Sequence, residues 1–255
     1  MSQAAAFLSQ NILPVVSTKE RIVDYWNRRS RDFARLHMRE LASPIAGRWM
    51  EEICGYLPRK KTLMILDVGT GSGFFSFLLS DFGYEVIGID LTPSMIEEAQ
   101  KAGRLLGSKA LFMVMDAEKL SFEDETFDLV ISRNLTWTLP NPKTAYGEWF
   151  RVLKQGGLLL NFDGNYGKED FTADEDELPE DHAHRRLEKE LCAECNRIKE
   201  QLEISYHQRP AWDVKILQQA GFEKLDLDFG VSRRIYTEVD EFYNPVPLFR
   251  IAAVK

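Results

Sequence analysis

"LDVGTGSGFF", residues Leu66–Phe75, sets three glycines at alternate positions between two apolar runs. Glycine at Gly69, Gly71 and Gly73 frees the backbone to turn tightly and to meet a ligand without an intervening Cβ. The run "TLMILDVG" before the turn reads as a strand, and "GFFSFLLSDFG" after it as a helix. Strand, glycine turn and helix in that order open a parallel βαβ unit.

The same rhythm continues on the C-terminal side. "YEVIGID" is a second strand and "PSMIEEAQKAGRLLG" a second helix, with Thr92 at the capping position and Pro93 in the first turn. "ALFMVMD" is a third strand, and "FDLVISRN" a fourth after the acidic turn "SFEDET". "PKTAYGEWFRVLKQGG" reads as a helix stopped by Gly156 and Gly157, which feed a fifth strand, "LLLNFDGN". Residues 165–210 break the pattern with an acidic, helical stretch. It resumes in the helix "AWDVKILQQAGF" and the strands "KLDLDFG" and "LFRIAAVK". The link between those two strands shows no convincing helix for a right-handed crossover, which predicts an antiparallel last strand. The reading is an α/β fold: a Rossmann-like, seven-stranded, mostly parallel sheet with helices on both faces. On the N-terminal side, "TKERIVDYWNRRSRDFARLHMRELASPIAGRWMEEICGYLP" predicts two or three amphipathic helices. The expected organisation is an arm and cap helices over 1–60, a ligand-binding core over 61–164, an insertion acting as a lid over 165–210, and completion of the sheet over 211–255.

Composition narrows the function. A net charge of −8 over 255 residues argues against nucleic acid, whose binding rests on phosphate neutralisation. The small basic clusters, Arg28, Arg29 and Arg31 and then Arg59, Lys60 and Lys61, read as a solvated helix face and a loop. No apolar stretch approaches the roughly 20 residues of a membrane span. The start "MSQAAAFLSQNILPVV" lacks the basic and apolar regions of a signal peptide and reads as a loose arm. Three cysteines suit a reducing cytoplasm, the expected location. Cys192 and Cys195 form C-x-x-C downstream of His182 and His184, a spacing that raises zinc. Their flanks, "RRLEKELCAECNRIKEQLE", are helix formers without a knuckle turn, so two cysteines on a helix are expected and no metal.

Spacing separates the ligands that a glycine turn can hold. A P-loop needs a lysine after its last glycine, and no lysine or arginine lies between Leu63 and Asp90. A dinucleotide turn needs G-x-G-x-x-G, but Gly73 comes one position early and bulky Phe74 occupies the third glycine's place. What remains is D-x-G-x-G-x-G, with Asp67 at the strand's end. A carboxylate there repels pyrophosphate and suits a cation. S-adenosylmethionine carries a sulfonium, an ammonium and no phosphate. Asp90 closes the second strand, where an acid can accept from both ribose hydroxyls. Asp116 closes the third, where an acid can accept from the adenine amine.

The string "ILDVGTGSGFFSFLLS…YEVIGIDLTPSMIEEAQ…FMVMDAEKLSFEDETFDLVISRNLTWTLPNPKTAYGEWFRVLKQGGLLL" resembles the class I S-adenosylmethionine-dependent methyltransferases, in particular the ubiquinone-biosynthesis-like, methyltransferase type 11 group. The resemblance covers about residues 20–165 and, more faintly, "RPAWDVKILQQAGF" and the last strands. It implies a methyltransferase that consumes S-adenosylmethionine and releases S-adenosylhomocysteine. It implies that Gly69, Thr70 and Gly71 wrap the methionine moiety and that Asp90 holds the ribose, with Leu91 and Met95 near the adenine. Asp116 and Ala117 read the adenine, and Arg133 and Asn134 lie beneath the methionine. Many relatives carry a cofactor-touching tyrosine in the N-terminal helix; the corresponding slot here is Phe33, with Tyr25 and Trp26 as possible substitutes.

Methyl transfer asks the protein mainly for alignment and a dry cavity, and no catalytic residue stands out. His37, His182, His184 and His207 read as surface or structural histidines. Trp137, Asp163, Asn165 and Tyr166 are expected to face a small-molecule acceptor if the insertion closes over it. Oxygen, nitrogen, sulfur and carbon acceptors all suit such a scaffold. Two other functions fit the same pocket: a regulatory protein that binds the cofactor without transfer, and an aminopropyl transferase.

Overall fold

The computed structural model describes residues 16–58, 62–173, 179, 182, 185 and 187–255. Expectations for the N-terminal arm to residue 15, for Arg59, Lys60 and Lys61, for His184 and for part of the acidic run lie outside those residues.

Two N-terminal helices form, α1 (Thr18–Leu41) and α2 (Pro44–Cys54). Ser17 and Glu20 close a reciprocal capping box on α1, and Ser43 caps α2 ahead of Pro44. The core follows as β1 (Met64–Val68), α3 (Phe74–Asp81), β2 (Glu85–Asp90), α4 (Pro93–Leu106), β3 (Leu111–Val114), β4 (Phe127–Arg133), α5 (Pro142–Val152) and β5 (Leu153–Gly164). Thr92 stands at the N-cap of α4, but its side chain makes no cap bond. The chain then runs through α6 (Lys189–Lys199), α7 (Ala211–Ala220), β6 (Glu223–Asp228), α8 (Val231–Ile235) and β7 (Leu248–Val254).

One seven-stranded sheet results, in the order β3-β2-β1-β4-β5-β7-β6. β7 is antiparallel to both neighbours, as expected, and the other pairings are parallel. Strand order reverses between β1 and β4, so the loops after those strands diverge and leave a crevice at their carboxyl ends. Each face of the sheet is covered by a buried apolar layer. Trp49 of α2 packs edge-on to Phe75 and Phe162 on one side. Tyr146 and Trp149 of α5 pack with Leu217 of α7 on the other.

Two local expectations are corrected. The helix before the fifth strand ends at Val152 rather than at the Gly156–Gly157 pair. Leu153 pairs with Phe127, and the N–H groups of Glu125 and Thr126 bond to the carbonyls of Arg151 and Val152. The sheet therefore claims these residues before the glycines can act as a helix stop, and Gly156, at φ 71°, becomes an irregularity within β5. The β6–β7 link holds a short helix, α8, because Val231 and Ile235 fall one turn apart and are both fully buried.

The insertion docks on α1. Leu191, Cys195 and Ile198 of α6 meet Ile22 and Tyr25, and Arg21 pairs with Glu194 at 2.7 Å. Its C-terminal end is tied into the core by Arg209, which takes Asp213 at 2.9 and 2.7 Å and Asp163 at 3.3 Å, all three fully or nearly fully buried.

Candidate active site

The crevice is a cavity of about 240 Å³. Its floor is the glycine turn. Gly69, at φ 68°, could not carry a side chain, because a Cβ would come within 2.6 Å of Leu135. A Cβ on Gly71, at φ 55°, would stand 3.2 Å from the Phe33 ring of α1. The turn is braced from behind. Thr70 N–H donates to Ile89 O at 2.9 Å, and the Thr70 and Ser76 hydroxyls both donate to Asp67 Oδ2, at 2.6 and 2.7 Å. Gly71 N–H donates to Asp90 Oδ2 at 3.0 Å and Thr92 N–H to Asp90 Oδ1 at 2.8 Å.

These donors offset a cost. Burial pushes the Asp67 carboxyl above its ordinary value, and the Thr70 and Ser76 hydroxyls and Arg133 draw it partway back. Burial raises Asp90 too, against the Thr92 and Gly71 donors. A raised folded-state pKa means that the native protein holds its proton longer than the unfolded chain, so this group's contribution to stability falls as pH rises through that range. Asp67→Asn removes the titration. The stability difference between variant and wild type should therefore shift in the variant's favour from about pH 4 upward, measured by urea unfolding at several pH values. A difference that stays flat with pH would refute the assignment.

At the far side of β2, Asp116 accepts from Glu118 N–H at 2.9 Å and pairs with Lys19 of α1 at 2.6 Å; Lys19 also takes Glu118 at 2.6 Å. At the opposite end, Arg133 takes both oxygens of Glu40, at 2.7 and 3.1 Å. Its Nη2 also lies 2.9 Å from His37 Nε2, and His37 Nδ1 lies 2.9 Å from Ser72 Oγ. A guanidinium only donates, so Nε2 accepts and Nδ1 carries the hydrogen given to Ser72. Burial and the adjacent Arg133 hold His37 well below its ordinary range. It is a neutral strut between α1 and the glycine turn, with both nitrogens engaged.

Above β4 the wall is aromatic. Asn134, at φ 54°, accepts from the Tyr166 hydroxyl at 3.0 Å, and Asn244 donates to that hydroxyl at 2.8 Å. Trp137 donates to Asn134 O at 3.0 Å and packs on Tyr166 and Phe171, with ring centroids 4.7 and 5.7 Å apart.

The cavity gathers most of the residues singled out from sequence. Asp67, Gly69, Thr70 and Gly71 line it from β1 and its turn; Asp90, Leu91 and Met95 from β2 and α4; Asp116 and Ala117 from β3; Arg133, Asn134 and Trp137 from β4; and Tyr166 from the segment after β5. Phe33, Tyr25 and Trp26 line it as well. Gly73 does not. It opens α3 at φ 96°, where a Cβ would press on Phe77 at 2.8 Å. Asp163 is no cavity residue either: it is fully buried, accepting from Trp137 N–H at 3.1 Å and pairing with Arg209. His207 stacks on Trp212 away from the cavity, whereas His182 is buried in its wall, 2.7 Å from Tyr243 O. Cys192 and Cys195 lie on α6 and face the cavity, and no cluster that could hold a metal occurs among the described residues.

Two contributions escaped the sequence reading. Lys19, Ile22, Arg29, Leu36 and Glu40 of α1 face the cavity, and with Trp26 and Phe33, which the resemblance had already pointed to, they form one stripe spaced three or four apart. Their amphipathic spacing looks the same whether a helix face meets a core or roofs a ligand site. The β6–β7 link supplies Tyr236, Phe242, Tyr243 and Asn244, and its aromatic content was the one available signal.

Residues 66–161 match the methyltransferase domain family. Among curated proteins, an uncharacterised methyltransferase of Bacillus subtilis is 35% identical over 112 residues, 44% of each chain. The chloroplastic tocopherol O-methyltransferase of Arabidopsis thaliana is 37% identical over 130 residues, 50% of this chain and 36% of that one. The chain thus spans less than half the length of these relatives. Among solved structures, a putative S-adenosylmethionine-dependent methyltransferase of Methanococcus maripaludis shares the fold, with a TM-score of 0.59 at 20% identity, covering 90% of this chain and 93% of that one.

Proposed function

We propose that this chain, whose residues 66–161 match a methyltransferase domain, is a class I enzyme that transfers a methyl group from S-adenosylmethionine to a small-molecule acceptor. One observation carries the reading: a side-chain-free cradle at Gly69 and Gly71 faces strand-end carboxylates inside a cavity whose Lys19 and Arg133 are already matched by acids. Such a site fits a phosphate-free cation and leaves neither of those two cations for a pyrophosphate. The tocopherol enzyme's name adds support for a small acceptor.

When bound, S-adenosylmethionine supplies a methyl carbon made electrophilic by its sulfonium. Gly69, Thr70 and Gly71 hold the methionine end through the backbone. Asp90 accepts from the ribose hydroxyls, Asp116 and Ala117 meet the adenine edge, and Leu91 and Met95 pack beside it. Asp67 and Gly73 act on the shape of the turn, and Arg133 acts through His37 and Ser72. Asn134 lies beneath the methionine end and accepts from the Tyr166 hydroxyl, and Trp137 and Tyr166 orient the acceptor beneath α1 and α6, which exclude water. Burial raises Tyr166 far above its ordinary value, so its hydroxyl is a donor and not a base.

The test is calorimetric titration with S-adenosylhomocysteine, NADH and ATP. Binding of the first alone is expected; binding of NADH or ATP in its place would end the reading. Incubation with S-adenosylmethionine and a small-molecule extract of the native host should then release S-adenosylhomocysteine. Trp137→Ala and Tyr166→Ala should each lower that release about tenfold or more, the scale of a misplaced reactant. Full activity in both would remove these two residues from the acceptor site.

A further inference from the structure

Among the described residues, four tyrosines line the cavity: Tyr25, Tyr166, Tyr236 and Tyr243. Two have engaged hydroxyls. Tyr25 accepts from Arg29 at 2.9 Å, and Tyr166 donates to Asn134 and accepts from Asn244. The other two stand on the β6–β7 link and pack edge to face, with ring centroids 6.2 Å apart at 77°. Neither of their hydroxyls has a hydrogen-bond partner among the described residues.

Tyr236 is held at its base and unengaged at its tip. Its N–H donates to Ser232 O at 2.8 Å at the end of α8, and the next residue, Thr237, accepts from Arg48 of α2 at 2.7 Å. Arg234 takes both oxygens of Glu52 of α2, at 2.7 and 2.9 Å. The backbone that carries the ring is therefore clamped to α2 without help from the hydroxyl, and such a donor loses little freedom when it meets a ligand. Its hydroxyl lies within reach of the Glu40 and Arg133 charges, and the Tyr166 hydroxyl within reach of Tyr236 and Arg133. Two phenols thus converge on the Arg133 end of the cavity. Burial, with Glu40 adding to it, raises Tyr236 far above its ordinary value, so its hydroxyl keeps its proton and can donate.

The surroundings say what it can select. The charged groups lining this end are already matched, Arg133 with Glu40 and Glu241 with Arg39, both at 2.7 Å. The rings of Trp137, Tyr166 and Phe171 give the rest an apolar face. An uncharged molecule with an aromatic or apolar body suits this end. A body without a lone pair would leave the Tyr236 hydroxyl unpaired, which is how a polar group in an apolar site discriminates.

Resting on the function proposed above, we propose that Tyr236 is a specificity-determining residue of the acceptor end, its hydroxyl donating to a lone-pair oxygen or nitrogen of an uncharged acceptor. Tyr236→Phe deletes that hydroxyl alone, so the variant should melt with wild type and bind S-adenosylhomocysteine equally well. Both proteins, saturated with S-adenosylhomocysteine, are titrated with acetophenone and with ethylbenzene by ligand-observed NMR; the probes share a shape and differ in one accepting oxygen. Wild type is expected to favour acetophenone about 2- to 10-fold, the range of a neutral hydrogen bond. Tyr236→Phe is expected to bind the two alike. A preference that survives in Tyr236→Phe overturns the proposal, and its loss in Tyr243→Phe would then assign the role to Tyr243. Wild type that binds neither probe, or both equally, overturns it as well. Weakened S-adenosylhomocysteine binding in Tyr236→Phe would give the hydroxyl to the cofactor, and a lowered melting temperature would give it a structural role; either result overturns the proposal. Failure of wild type to bind S-adenosylhomocysteine would instead sink the function, and the same two probes titrated without it would still decide the role of Tyr236.

Discussion

Asp90→Ala is expected to weaken S-adenosylhomocysteine binding by about one to three orders of magnitude, read by titration calorimetry. The size follows from two losses at one position. The variant gives up the carboxylate that accepts from the ribose hydroxyls, each charged hydrogen bond being worth about 1.5–3 kcal/mol. It also releases Gly71 N–H and Thr92 N–H, which Asp90 holds at 3.0 and 2.8 Å, so the turn loses its anchor to β2. Asp90→Asn keeps an acceptor for one of these donors and should fall between wild type and alanine. Unchanged affinity in the alanine variant would show that the ligand binds elsewhere.

The second large effect is on stability. Arg209→Ala leaves Asp163 and Asp213 buried without their shared cation. Breaking a buried pair in this way costs about 3–5 kcal/mol, because the remaining charge cannot reach water. For a chain of this size that lowers the melting temperature by roughly 6–20 °C. Adding Asp213→Asn should recover part of the loss, since it removes one stranded charge, although Tyr146, which donates to Asp213 at 2.6 Å, keeps only a neutral partner. A single variant that melts with wild type in scanning fluorimetry would exclude the buried triad as a stabilising tie between the insertion and the sheet.

Much of the sheet was legible in the sequence because its signals are local. Most strands are short apolar runs ended by a glycine or an acid, and the crossovers from β1 to β2, β2 to β3 and β4 to β5 each carry a helix. The early third glycine and Phe74 excluded a dinucleotide turn without any tertiary information. The end of α5 was misread for an equally physical reason. Gly156 and Gly157 look like a helix stop, but pairing of Leu153 with Phe127, 26 positions earlier, terminates the helix first. Asp163 was misplaced because its partner, Arg209, lies 46 residues away in a segment with no regular pattern.

Local spacing by itself determined the α/β alternation, the reversed last strand and the alignment of Asp67, Asp90 and Asp116 at strand ends, since consecutive parallel strands must end on the same edge. Tertiary structure alone decided what covers that edge. It turned one face of α1 onto the glycine turn, with Glu40 reaching Arg133 across 93 residues, and brought the β6–β7 link to the far wall. A helix stripe or an aromatic loop buries the same apolar area against a core or a cavity, so its own residues do not distinguish the two; only the packing of distant segments does.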